Sequence, residues 1–131
     1  MRKIIATDKA PAAIGPYSQG VVCKGALIVT AGQLPLDPVS MKLVEGGIEE
    51  QTRQLMENMK AVLAEAGAGF GDVIKSTCFL ADLSQFANFN KVYGSFFEGL
   101  EPPARSAFQV AALPLGALVE VEMLALAPEK D

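Results

Sequence analysis

The sequence predicts an α+β fold in which two helices pack on one face of a single sheet. Apolar residues alternate with a period of two in most segments and with a period near 3.6 in two others, which gives the order β-β-β-α-β-α-β-β. Each helical segment has one apolar face, so both helices are expected to lie side by side on the same sheet face. The chain has 131 residues, and we expect one domain over residues 1–131.

Three strands are predicted before the first helix, over residues 2–6, 17–23 and 26–31. Two prolines and a glycine prevent regular structure in the loop over residues 11–16. A Lys-Gly pair at 24–25 predicts a hairpin between the second and third strands. The segment over 34–47 is rich in proline and glycine and is predicted to be a loop.

The first helix is predicted over residues 48–66 and ends at Gly67, a good C-terminal cap. Its apolar face is expected to contain Ile48, Leu55, Met59, Val62, Leu63 and Ala66. A strand over 73–81 follows.

The second helix is predicted over residues 84–97, with Asp82 or Ser84 as its cap. Its aromatic stripe is interpreted as core and contains Phe86, Phe89, Tyr93, Phe96 and Phe97. Two strands complete the fold, over residues 104–110 and 118–127. The last strand has apolar residues on both faces, so we expect other subunits to cover the sheet face opposite the helices.

The composition excludes several classes of function. The net charge is −4 and no cluster of basic residues is present, although nucleic-acid binding depends on neutralising phosphates. The chain has no histidine, which removes the usual general base and the commonest metal ligand. Neither a GxGxxG motif nor a Walker A loop occurs. We therefore expect no metal and no cofactor.

The sequence also favours a cytoplasmic protein. No apolar run approaches about 18 residues, the length that a membrane-spanning helix needs. The first residues lack the apolar stretch of a signal peptide. Cys23 and Cys78 lie far apart in apolar segments and are predicted to be reduced packing residues.

Arg105 is the first candidate for a functional role. Strand alternation places it on the same face as Ala107 and Gln109. An arginine among small and apolar neighbours needs an anionic partner. That partner is either a structural carboxylate, from Glu120, Glu122 or a neighbouring subunit, or the carboxylate of a substrate, which a guanidinium binds in a bidentate manner.

Three further polar or aromatic residues have two interpretations each. Glu120 shares a strand face with Glu122, and it is either a solvent-facing residue or, if buried, a proton shuttle. Tyr17 follows the Gly15-Pro16 turn, where a core aromatic is the simpler interpretation. Asn90 shares the packed side of the second helix, where its amide needs a hydrogen-bond partner.

Several motifs resemble the Rid family of reactive-intermediate deaminases, in its RidA-like (YjgF-like) branch. The N-terminal motif APAAIGPYSQ covers residues 10–19, and the signature PARSAFQVAALP covers residues 103–114, followed by VEVE at 119–122. TAGQ at 30–33 and NMK at 58–60 also fit. The resemblance extends over essentially the whole chain.

The resemblance implies a chorismate-mutase-like fold, with a mixed sheet and two helices on one face, that forms a homotrimer with clefts between subunits. It implies hydrolysis of 2-imino and 2-enamino acids, of the 2-aminoacrylate and 2-iminobutanoate type, to 2-keto acids and ammonia. In this frame Arg105 would bind the substrate carboxylate, and Glu120 would position water and move protons. The remaining substrate-binding positions would be Tyr17, Gly32, Asn90 and Ala107.

Two positions depart from the commonest family pattern. Ala107 stands where many members have cysteine, and Ala31 stands where many have serine. Since the expected contact at 107 is made by the backbone, only the lost hydroxyl at 31 is expected to change rate or preference.

Two other functions stay open at the level of sequence. One is a non-catalytic trimer that binds small 2-keto or carboxylic acids as a sensor or regulator. The other is an RNA-directed nuclease, an activity attached to the family, although the acidic charge and the lack of histidine argue against it.

Overall fold

The computed structural model describes residues 1–129, and its secondary structure follows the predicted order. The strands and helices are β1 (Arg2–Ile5), β2 (Gly20–Cys23), β3 (Leu27–Val29), α1 (Ile48–Glu65), β4 (Val73–Leu80), α2 (Phe86–Ser95), β5 (Ala104–Gln109) and β6 (Val119–Leu126). The predicted mixed sheet with two helices is confirmed. The predicted domain extends to residue 131, and its last two residues lie outside the described part of the chain.

The main sheet has four strands in the order β3-β6-β4-β5. Strand β4 runs parallel to β5 and antiparallel to β6, and β6 runs antiparallel to β3. Long-range pairing therefore places the last two strands on either side of the central β4. Strand β5 is the edge of this sheet, which leaves its side chains accessible near the end of the helix layer.

Strands β1 and β2 form a separate antiparallel pair. A single parallel bridge between Ser18 and Ala104 connects this pair to the free edge of β5. Arg2 adds a second connection, since its Nε donates to the carbonyl of Val73 at 3.0 Å. The predicted hairpin between the second and third strands is wrong, because β2 pairs with β1 whereas β3 pairs with β6.

The two helices contact each other and cover one face of the main sheet. Alternate residues of β6 that face them are fully buried, as are Leu55, Met59 and Leu63 of α1. Helix α1 ends as predicted, with Gly67 in a left-handed conformation at φ +79°. Its buried face differs from the prediction, because Val62 and Ala66 are exposed whereas Gln51, Thr52 and Met56 are buried.

Helix α2 is shorter than predicted at both ends. Asp82 caps a 3₁₀ turn over residues 83–85, its side chain accepting from the amide of Ser84 at 2.9 Å, and the α-helix begins only at Phe86. Phe89, Tyr93 and Phe97 are buried, as the core interpretation requires. Phe86 and Phe96 are only partly buried.

The opposite face of the main sheet is open in the single chain, and it is largely apolar. Val29 is 72% exposed, Leu27 51% and Phe108 43%. Their neighbours on this face include Phe79, Leu124 and the carboxylates of Glu120 and Glu122. An exposed apolar surface of this kind is typical of a face that another protein surface covers.

Neither cysteine forms a disulfide, in agreement with the prediction: Cys78 is buried and Cys23 is half-buried. Within residues 1–129, no helix is both long and apolar enough to cross a membrane.

Candidate functional site

Arg105 points to the helix side of the sheet at the edge strand β5. It is paired in register with the buried Ser76 of β4, and Ala107 is paired with the buried Cys78. Helix α2 passes over this edge and supplies Asn90, whose side-chain oxygen accepts a hydrogen bond from Nη1 of Arg105 at 2.6 Å. This contact gives the Asn90 amide the partner that its position on the packed side requires.

Three aromatic rings surround the guanidinium. Its central carbon lies 5.0 Å from the ring centroid of Tyr93, 5.2 Å from that of Phe86 and 5.6 Å from that of Tyr17. At these distances each ring face attracts the cation. The rings stabilise the charge from the sides, yet they provide no hydrogen-bond acceptor for its N–H groups.

A cavity of about 230 Å³ opens in front of Arg105. It is lined by Ile14, Gly15, Tyr17, Phe86, Asn90, Arg105 and Ala107. The structure therefore brings together four of the residues singled out in the sequence, namely Tyr17, Asn90, Arg105 and Ala107. The tyrosine is placed by a tight turn, in which its amide donates to the carbonyl of Gly15 at 2.8 Å.

Arg105 forms no ion pair with a carboxylate anywhere in residues 1–129, where Lys91 and Glu49 make the only salt bridge. The interpretation of Arg105 as the partner of Glu120 or Glu122 within one chain is thus wrong. The register explains why: Glu120 and Glu122 lie across from Phe79 and Thr77, on the other face of the sheet. A half-buried guanidinium with a neutral amide as its side-chain acceptor retains the capacity to bind an anion.

A pair of buried hydroxyl groups lies behind the guanidinium. Ser76 Oγ and Tyr93 Oη are 2.6 Å apart, and both residues are fully buried. Burial raises the pKa of the Tyr93 hydroxyl above its ordinary value. Burial likewise raises the pKa of the neighbouring Cys78 thiol to about 12, so both groups are neutral at physiological pH.

Glu120 belongs to a second cluster, on the open face of the sheet. Its carboxylate lies directly against Gly32, where a Cβ atom would collide with Oε2 of Glu120. The segment at Gly32 is held there by Gln33, whose amide donates to the carbonyl of Val121 at 2.8 Å. The structure therefore brings Glu120 and Gly32 together, but it places them on the opposite side of the sheet from Arg105.

Phe86 and Tyr93 are not among the residues predicted for the site, because both belong to the aromatic stripe interpreted as core. Tyr93 is indeed buried, and it contacts the guanidinium from below. A signal was available for Phe86, since it lies one helical turn before Asn90 and on the same side of α2. No signal in the sequence indicated that this side faces Arg105, because that depends on the pairing of β4 with β5.

Among the described residues, no group of three or more histidine, cysteine, aspartate or glutamate side chains is close enough to hold a metal ion. The groups that can bind a ligand or transfer a proton are the guanidinium of Arg105, the amide of Asn90, the phenol of Tyr17 and, on the other face, the carboxylate of Glu120.

Comparisons with known proteins match nearly the whole chain. A family model described as endoribonuclease L-PSP matches residues 7–127. The mouse protein named 2-iminobutanoate/2-iminopropanoate deaminase is 47% identical over 126 residues, which are 96% of this chain and 92% of that protein. The Lactococcus lactis protein named putative regulator AldR is 50% identical over 123 residues, which are 94% of this chain and 96% of that protein.

A solved structure supports the fold as well. Escherichia coli TdcF, crystallised with bound serine, is 42% identical, with a TM-score of 0.75 over 96% of this chain and 99% of that chain. The matched family residues include both the Arg105 cavity and the Glu120 cluster.

Proposed function

This chain belongs to the Rid family, whose family model is described as endoribonuclease L-PSP, and on that premise we propose that it hydrolyses 2-imino and 2-enamino acids. The reaction is R–C(=NH)–COO⁻ + H₂O → R–CO–COO⁻ + NH₃, and 2-enamino acids enter it as their imine tautomers. The proposed enzyme is one domain over residues 1–131, acts in the cytoplasm and uses no cofactor. The deaminase name of the mouse relative supports this substrate class.

One observation carries the proposal: Arg105 is held in an open cavity without a carboxylate partner among residues 1–129. The aromatic rings and Asn90 fix the guanidinium and leave part of its N–H fork free toward the cavity. A substrate carboxylate would complete that fork with two charge-assisted hydrogen bonds. We propose Tyr17, Asn90 and Ala107 as the lining of this substrate-binding half of the site.

The chemical step needs only a positioned water and a proton carrier. The water oxygen bonds to C2 of the imine while the π electrons of the C=N bond move to nitrogen. Glu120 would accept one proton of the water and pass it to nitrogen, which gives the carbinolamine R–C(OH)(NH₂)–COO⁻. It would then move the remaining hydroxyl proton to nitrogen, so that the C=O bond forms, the C–N bond breaks and ammonia leaves. Such general acid–base catalysis contributes about 10²–10⁴-fold. Imines already hydrolyse in water, so a site without histidine or metal is sufficient.

The two halves of the proposed site come from different copies of the chain. Arg105 faces the helices and Glu120 faces the open side, so one copy cannot present both groups to the same substrate. We propose that the open sheet faces pack together in a homotrimer, where Glu120 and Gly32 of one copy approach the cavity of its neighbour. The exposed apolar residues of that face supply a reason for association.

The first test is the release of ammonia from 2-aminoacrylate that a PLP-dependent dehydratase generates. Arg105→Ala should be at least about tenfold slower than wild type, because hydrogen bonds to a charged group contribute about 1.5–3 kcal/mol. Arg53→Ala, which removes an exposed arginine of α1, is the matched control and should keep the wild-type rate. Equal rates for wild type and Arg105→Ala would reject the proposal.

The alternative function is a non-catalytic sensor or regulator that binds small 2-keto or carboxylic acids. The name of the Lactococcus relative, a putative regulator, favours it. The same arginine would bind the ligand, so the two functions differ only in turnover. Binding of 2-ketobutyrate that depends on Arg105, without ammonia release above the spontaneous rate, would favour the sensor.

The description of the family model also names an endoribonuclease. The chain offers little for that activity, since its net charge is −4 and it has no histidine. Cleavage of RNA by the pure protein at moderate salt would favour that activity.

A further inference from the structure

The aromatic ring of Tyr93 lies beneath the cavity and does not line it. Its centroid is 5.0 Å from the central carbon of the Arg105 guanidinium, the shortest of the three ring distances. Phe86 and Tyr17 line the open cavity, where they can touch a ligand, whereas Tyr93 is fully buried. Tyr93 cannot touch a ligand in this cavity, so we expect it to affect ligand binding through its contact with Arg105.

The position of this ring is fixed from three sides. Phe89 and Phe97 pack against it, with centroids 5.3 and 5.0 Å away. Its hydroxyl is bonded to Ser76, the residue of β4 that is paired in register with Arg105. Helix α2 and strand β4 are thus tied together directly behind the guanidinium, and Tyr93 lies one helical turn after Asn90, the hydrogen-bond acceptor of Arg105.

We propose that Tyr93 is a positioning residue for Arg105. Its ring packs against the guanidinium, and the hydrogen bond to the Ser76 hydroxyl holds the ring in place. Without the Tyr93 ring, the guanidinium would keep the Phe86 and Tyr17 rings, which line the open cavity, and one hydrogen bond, from Nη1 to Asn90. One such bond does not define the plane of the fork, and bidentate binding of a carboxylate requires a defined plane. This inference rests on the proposed function, since it takes the ligand to be a 2-keto or 2-imino acid.

The test compares three variants that separate the ring from the hydroxyl and from core packing. Tyr93→Phe keeps the ring and removes the hydroxyl. Tyr93→Leu removes the ring. Phe70→Leu is the matched control, because it removes a buried ring of the core whose aromatic contacts are with Phe96 and Phe97 and not with Tyr93.

The readouts are the Kd for 2-ketobutyrate, measured by titration well below the Tm of every variant, and KM and kcat for ammonia release. Tyr93→Leu should raise Kd and KM about tenfold and lower kcat by less than about threefold, because the guanidinium binds substrate and product carboxylates alike. Tyr93→Phe should raise Kd by less than about threefold. Phe70→Leu should lose stability as Tyr93→Leu does, while its Kd stays near that of wild type.

Wild-type affinity in Tyr93→Leu would overturn the inference, and so would an equal loss of affinity in Phe70→Leu. Arg105→Ala separates these results from a failure of the proposed function. If wild type binds 2-ketobutyrate no better than Arg105→Ala and releases no ammonia, then the function and the inference both fail. If wild type binds 2-ketobutyrate more tightly than Arg105→Ala and releases ammonia, and Tyr93→Leu has the same Kd as wild type, then only the inference fails.

Discussion

Gln19 is the residue that holds the N-terminal loop next to the Arg105 cavity. Its side-chain oxygen accepts from the amide of Thr7 at 2.6 Å. Its side-chain nitrogen donates to the carbonyls of Thr7, Ala10 and Pro11 at 3.0, 3.3 and 2.7 Å. Since residues 11–15 are otherwise exposed, one amide side chain fixes the loop that carries Ile14, Gly15 and Tyr17 to the cavity.

Gln19→Ala should therefore loosen this loop more than it destabilises the protein. We expect a loss of about 1–2 kcal/mol in the free energy of unfolding, since partly exposed hydrogen bonds contribute modestly. Proteolytic cleavage within residues 7–16 should become faster. Gln54→Ala, which removes a single hydrogen bond on α1, is the control and should not affect cleavage there. Unchanged cleavage in Gln19→Ala would show that the loop is held by other contacts.

At the residue scale, the sequence marks Arg105 as unusual for its place in a strand, whereas Tyr17 and Asn90 become site candidates only through the resemblance to the Rid family. It did not identify the roles of Phe86 and Tyr93. Apolar periodicity indicates which side of a helix is covered, and it does not indicate what covers it. The contact between α2 and Arg105 depends on the parallel pairing of β4 with β5, which is a long-range feature.

Strand β4 contributes side chains to both faces of the main sheet. Ser76 and Cys78 face the helices and are fully buried, whereas Thr77 and Phe79 lie on the open face with Glu122 and Glu120. Burial raises the pKa of Cys78 to about 12, well above the ordinary value of a thiol. The thiol therefore stays neutral in the folded protein at pH values where it ionises in the unfolded chain.

This difference predicts a loss of stability at alkaline pH. Between about pH 9 and 12 the folded state binds more protons at Cys78 than the unfolded state, so the free energy of unfolding falls as the pH rises. In urea unfolding, the decrease between pH 8 and 10.5 should be smaller in Cys78→Ala than in wild type, by roughly 2 kcal/mol. Cys23→Ala, at a half-buried position of β2, is the control. The prediction is wrong if both variants follow the wild-type pH dependence.

At the element scale, the sequence predicted the number, type and order of the elements, because alternation and helical periodicity are local signals. It failed where pairing is not local. The turn at 24–25 predicted a hairpin, yet β2 pairs with β1 and β3 with β6. It also placed the start of α2 too early, because the Asp82 cap serves a 3₁₀ turn before the α-helix begins.

At the scale of the whole molecule, Arg105 and Glu120 lie on opposite faces of one sheet. Alternation within each strand could be predicted from the sequence, but the relation between β5 and β6 could not, since it depends on β4 lying between them. The open face combines exposed Leu27, Val29 and Phe108 with the Glu120 cluster. This arrangement is what a site completed by a second copy of the chain requires.

The most direct test of a shared site is subunit complementation between Arg105→Ala and Glu120→Ala. Each variant alone should be nearly inactive in ammonia release. After equal amounts are denatured together and refolded, random mixing should restore about a quarter of the wild-type activity, because one interface in four would combine an intact Arg105 with an intact Glu120. If the mixture stays as inactive as the separate variants, both groups act from the same chain and the account is contradicted.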